Sequence, residues 1–183
     1  MPNLPDLRAA MNFPGYIPDA WTRVGLEGAG YEGFLPFDEL RSTRPTTDPG
    51  VYVVLRESNK PPKFLERSPA GKTRDFTAPI ATLEQAWVPG SEVLYIGKAT
   101  WGARQDGIHR RLKQYRRTGA GTADNHDGGV WIFQLEDAAS LSVCWRPAHD
   151  PSDKFVDALE TRLIADFASR REHGKRPFAN RTV

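Results

Sequence analysis

At 183 residues, 39% of them hydrophobic, the chain is long enough for one packed core and short for two. Its formal net charge of +2 says little about partners, and its single cysteine, Cys144, excludes an internal disulfide and a thiolate metal cage, which fits a reducing cytoplasm. Met1 to Ala20 mix prolines and aspartates with no secretory h-region, and no stretch approaches membrane-spanning length, so a soluble, cytoplasmic protein with no membrane partner is expected.

Residues 1–48 are rich in Pro, Gly and isolated aromatics (Phe13, Tyr16, Trp21, Tyr31, Phe34, Phe37) with no sustained period. They read as an arm that packs aromatics onto the surface of a domain spanning 49–183. Asp48-Pro49-Gly50 is a turn signal that delivers the chain into Val51-Tyr52-Val53-Val54-Leu55, a β-branched run of strand length. Asn59 to Ala81 has little period and reads as a long loop with a short strand near Phe76, part of an insertion at about 59–92. Pro89-Gly90 precedes the second strand, Val93-Leu94-Tyr95-Ile96. Strands apolar on both faces are expected in the middle of a covered sheet.

Gly97 ends that strand, and Ile108, Leu112 and Tyr115 share one face of a helix expected over about 107–118, stopped by Gly119 and Gly121. Val130 to Leu135 and Leu141 to Trp145 look like a hairpin, although the first run is short enough to be a buried helical turn. Asp150 as N-cap and Pro151 at the first helical position open a last helix, which Gly174 and Pro177 close. The histidines (His109, His126, His149, His173) have no metal-ligand spacing and read as surface groups, with His109 on the basic helix, where it can touch DNA.

Charge is unevenly distributed. Lys98, Arg104, Arg110, Arg111, Lys113, Arg116 and Arg117 face only Asp106 between Lys98 and Gly119, a local charge of about +6. Arg170, Arg171, Lys175, Arg176 and Arg181 against Glu172 form a second basic cluster. Two such clusters flanking an apolar core suggest a polyanion footprint, with nucleic acid the commonest occupant.

One acidic residue stands out. In the last helix Val156, Leu159, Leu163, Ile164 and Phe167 form an apolar stripe, and Glu160 lies inside it. An unpaired carboxylate removed from water costs several kcal/mol, so Glu160 is expected at an edge, bonded to a cation, or holding a metal ion.

Taken in order, Gly50-Val51-Tyr52, Tyr95-Ile96-Gly97, Arg111-Leu112, Glu160, and Pro177 with Asn180 resemble the GIY-YIG nuclease superfamily over residues of about 50 to 181. Each tripeptide alone is a weak signal; the order and context of the five elements is a strong one. The resemblance implies an α/β (α+β) fold with a small central antiparallel sheet of three to four strands flanked by helices. It also implies that Tyr52 and Tyr95 line one wall of the site, Arg111 contacts the scissile phosphate, Glu160 binds a divalent cation, and Asn180 helps hold the pocket together. Tyr115, where many members have His, and Lys98, directly after the second tripeptide, are similar to the excision-repair nuclease subunit.

The residue chemistry is compatible with those roles. A single carboxylate with hard oxygen donors suits one Mg2+ or Mn2+ that keeps several waters, hence a one-metal mechanism. Arg111 can grip a phosphate through two N–H donors. A phenol near its reference pKa of about 10 is a poor base at neutrality, so it needs Lys98 or the metal nearby, and the choice between Tyr52 and Tyr95 stays open. The expected function is a divalent-metal-dependent DNA endonuclease acting on double-stranded DNA, with Arg110, Lys113 and Arg116 as an outward ridge that grips backbone phosphates. The long separation of the two tripeptides and the N-terminal arm resemble restriction-type members, for which a homodimer is one expected assembly. The alternative is a non-catalytic nucleic-acid-binding module on the same fold, although binding alone has no use for a buried carboxylate. A protein-interaction domain built on partly exposed Trp21, Tyr31 and Phe34 is the third class.

Overall fold

The computed structural model describes residues 13, 15–103 and 105–181, so Arg104 and most of the chain before Gly15 lie outside the described residues. Four strands, β1 (Glu32–Pro36), β2 (Gly50–Leu55), β3 (Val93–Ala99) and β4 (Ser142–Pro147), form one antiparallel sheet in the order β1-β4-β2-β3. Helices flank it: α1 (Arg23–Gly28), α2 (Ile80–Ala86), α3 (Gly107–Gly119) and α4 (Asp153–Ser169). The fold is α+β. No helix among the described residues is long and apolar enough to cross a membrane.

The β-branched β2 lies between β4 and β3, and every one of its residues is buried. Its alternation divides the core. Tyr52 and Val54 point to a face shared with Tyr95, Ile108, Leu112 and Tyr115, where α3 packs. Val51, Val53 and Leu55 point to the other face, shared with Leu159, Leu163 and Phe167 of α4. Each such fully buried side chain contributes about 1.5–3 kcal/mol by leaving water.

β3 is a sheet edge rather than an interior strand, because β4 takes the other side of β2. The apolar reading of β3 has a different source: its free edge is covered by the chain end. Ala179 donates its N–H to the Leu94 carbonyl at 2.8 Å. The Asn180 side chain accepts from the Ile96 N–H at 2.9 Å and donates to the Ile96 carbonyl at 2.8 Å. One amide thus does the work of a neighbouring strand.

Several sequence expectations are corrected. The arm is part of the core: Tyr16, Trp21 and Tyr31 are only 2–4% exposed, and residues 32–36 pair with β4 as the other edge strand. Trp21 and Tyr31 are therefore not available as an exposed interaction surface. The insertion carries α2, whose Leu83 is fully buried, and has a single isolated bridge, Phe64 to Leu135, in place of a strand near Phe76. Val130–Gln134 is a short 3-10 helix, not a hairpin arm, so β4 finds its partners in the distant β1 and β2. The α4 N-cap is Ser152, whose hydroxyl accepts from the Phe155 N–H at 3.3 Å. Asp150 accepts instead from the Ser152 N–H at 2.9 Å, a local turn that precludes its capping role.

Candidate functional site

Tyr52 and Tyr95 reach the α3 face of the sheet from adjacent strands, in a register that pairs Tyr52 with Gly97 and Val54 with Tyr95. Their ring centroids are 5.9 Å apart, and Tyr115 completes a triangle at 6.0 Å from Tyr52 and 5.7 Å from Tyr95. Gly97 is glycine for a steric reason. A Cβ there would lie 2.5 Å from the Tyr52 ring and 2.7 Å from the Tyr95 ring, so the two phenols could not cross over the strand.

Gly128-Gly129 roofs the triangle. Cβ atoms at these positions would come within 2.3 Å of the Tyr95 hydroxyl and 2.4 Å of the Tyr115 hydroxyl, and Gly129 adopts a φ of +69°. The Tyr115 hydroxyl donates to the Gly129 carbonyl at 2.7 Å. The Tyr52 hydroxyl is buried beside that of Tyr95. Burial pushes Tyr52 and Tyr115 well above the ordinary phenol value. Burial, then the Glu160 charge, pushes Tyr95 up to about 12, against the opposing pull of Arg111 and Lys98. All three phenols are protonated at neutral pH.

Arg111 stands one turn before Tyr115 on α3. Its positive charge acts on Tyr52, Tyr95, Tyr115, His126 and Glu160. Among the described residues it has neither a carboxylate partner nor a hydrogen bond. A half-buried guanidinium in that state is a ready receptor for an anion.

Glu160 comes from the other face of the sheet. Lys98 is paired with Val51 and therefore points to the α4 side, where its Nζ lies 3.0 Å from Glu160 Oε2 and 3.1 Å from Asp157 Oδ1. Of the options open at the sequence level, Glu160 is bonded to a cation, and its side chain keeps 17% of its exposure. Burial nonetheless holds its carboxyl above the ordinary value, with Lys98 pulling the other way. Burial opposes the charge on Lys98, but Glu160 and Asp157 outweigh it and hold the ammonium above its usual value. Glu160 and the phenols sense each other across β3 because that strand is an edge and Gly97 has no side chain there.

Two residues at the site escaped the sequence reading. Asp157 shares Lys98 with Glu160, and the signal for it was the spacing of one helical turn. His126 is not a surface group: it is 1% exposed and stacks on Tyr115 at 4.1 Å. Burial, reinforced by Arg111, pushes it down to about 3, so it is neutral. Its only sequence signal was its place just before Gly128-Gly129.

The structure separates the expected ridge from Arg111. Arg110 is paired with Asp106 at 3.0 Å, Arg116 is half-buried, and Lys113 is exposed, with Lys113 and Arg116 on the flank of α3 turned away from Arg111. Asn180 acts on the site through Ile96, one residue from Tyr95 and Gly97. No family model matches the chain, and no match was found among curated proteins or solved structures.

Proposed function

We propose that the protein is a divalent-metal-dependent phosphodiesterase acting on double-stranded DNA, an endonuclease of GIY-YIG type. The observation that carries this reading is the convergence of three phenols, an uncompensated guanidinium and one carboxylate on the two sides of Gly97. Arg111 would bind a non-bridging phosphate oxygen pair through its fork of donors. Such donors stabilise charge as it builds on the phosphoryl oxygens.

The acidic side of the site fits a magnesium or manganese ion of the water-rich kind. Among the described residues no three His, Cys, Asp or Glu side chains converge as an all-protein cage. The second Glu160 oxygen has no protein partner there, and Asp157 stands one turn away. An ion held by one or two carboxylates keeps its waters, as magnesium commonly does, and when bound it would supply an activated water at neutral pH. Lys98 holds the Glu160 oxygen in place and would act as a positive neighbour to the departing oxygen.

Incubation of supercoiled and linear DNA with Mg2+ or Mn2+ tests the reading. Cleavage by the wild type that is absent from Glu160→Ala supports it, and no cleavage by either protein under any divalent ion overturns it. The direct Lys98–Glu160 contact favours a second reading, a binding module, because the carboxylate charge is already compensated without an ion. Salt-sensitive DNA binding with no turnover would select that alternative.

A further inference from the structure

The flank of α3 turned away from Arg111 carries a concavity of about 390 Å³ between the helix and the segment 40–45. Arg41, Thr43 and Arg44 line it from the segment, and His109, Lys113 and Arg116 from the helix. Among the described residues no acidic side chain lines it. The nearest carboxylate recorded for these cations is Asp38, 3.9 Å from Arg41, and both partners of that pair are largely exposed.

Two further observations are compatible with anion binding. The Arg116 Nε is buried and has no hydrogen-bond partner among the described residues. Burial, then Arg41, lowers the pKa of Arg116 against an opposing pull from Asp38, and burial, then Arg44 and Lys113, lowers that of His109 against an opposing pull from Asp106. The wall is held firmly against the helix: the His109 N–H donates to the Thr46 carbonyl at 3.0 Å and the Ile108 N–H to the Asp48 carbonyl at 3.0 Å. A neighbouring hollow of about 380 Å³ shares His109 and Lys113 and adds Arg117 and the Arg110–Asp106 pair, so Lys113 and Arg117 continue the cationic surface over the crest of α3.

We propose that the cleft between residues 40–45 and α3 is a second phosphate site, which holds a DNA backbone phosphate on the strand across the groove from the one presented to Arg111. The proposal rests on the nuclease reading and extends it to how the duplex is seated. An α-helix with its side chains is about 10–12 Å across, and the major groove is about 12 Å wide, so phosphate receptors on opposite flanks of one helix match two backbones. The segment 40–45 supplies Arg41 and Arg44, which belong to the part of the chain that reads as a packing arm at the sequence level.

Duplex binding is measured by fluorescence anisotropy in Ca2+ across a salt series, for the wild type, Arg44→Ala, Arg44→Glu and the Arg41→Ala/Arg44→Ala double variant, with thermal melting as the check on folding. The double variant is expected to bind about tenfold more weakly, with a log–log salt slope reduced by about 1, and Arg44→Glu to bind more weakly than Arg44→Ala. A folded double variant with wild-type affinity and slope overturns the second site and leaves the nuclease reading standing. Failure of the wild type to bind duplex at low salt removes both. Pyrophosphate binding that depends on Arg41 and Arg44, combined with duplex binding that does not, assigns the cleft to a small free anion and overturns the backbone assignment.

Discussion

The Lys98 ammonium bridges Glu160 and Asp157, at 3.0 and 3.1 Å, from a strand whose neighbouring residue, Gly97, underlies the Tyr52 and Tyr95 rings. The acidic side of the candidate site and its phenolic side are thereby coupled through two consecutive backbone positions. Glu160→Gln keeps the shape and removes the charge. Metal-dependent cleavage should fall to background, while Lys98 retains Asp157, so the melting temperature should shift little; plasmid nicking and a thermal melt on the same preparation check both.

Arg111→Lys keeps a positive charge but loses the planar pair of donors. If Arg111 stabilises the phosphoryl charge, turnover should drop by about 100-fold with the fold intact, and Arg111→Ala should drop further. Single-turnover cleavage rates separate this from weakened binding, which the cleft variants are expected to show instead.

Gly97→Ala inserts a methyl group 2.5 Å from the Tyr52 ring, inside a packed core with no flexible end to yield. The expected cost is about 1–3 kcal/mol of stability, accompanied by loss of cleavage as the phenols are displaced. Urea unfolding measures the first effect.

Burial pushes His126 down to about 3, well below its unfolded value, so between about pH 6.5 and 3 the unfolded chain binds a proton that the folded chain refuses. Stability from this group is fully present above pH 6.5 and is lost as the pH falls, by roughly 2 kcal/mol at pH 5. Glu160, whose carboxyl is held above its ordinary value, acts in the opposite sense: its contribution is present at low pH and lost as pH rises through its folded value. The melting temperature of the wild type should therefore drop from pH 7 to pH 5, and His126→Phe should flatten that drop.

Asn180→Ala removes both hydrogen bonds from the edge of β3 at Ile96. Two backbone groups lose their partners, at an expected cost of about 1–3 kcal/mol, and the loosened strand should reduce activity as well. Amide hydrogen exchange at Ile96 should accelerate while the amides of β2 stay protected.

Local pattern was enough to locate β2, β3, α3 and α4, because the β-branched apolar run of Val51 to Leu55 and the three-and-four spacing of Ile108, Leu112 and Tyr115 are properties of neighbouring residues. The same logic singled out Glu160 as a charge in an apolar stripe. What no local pattern carried was the pairing of Glu32 with Trp145, the choice of a 3-10 turn over a strand at Val130–Gln134, or the burial of His126 against Tyr115. Nor could it reveal that Lys98 would face Glu160, or that Arg41 and Arg44 would face Lys113 and Arg116. Those contacts join segments far apart in the chain, and their free energy is realised only when the whole sheet closes. The amino-acid order therefore specified the pieces and their chemistry, and only the closed sheet determined which charges were left without partners.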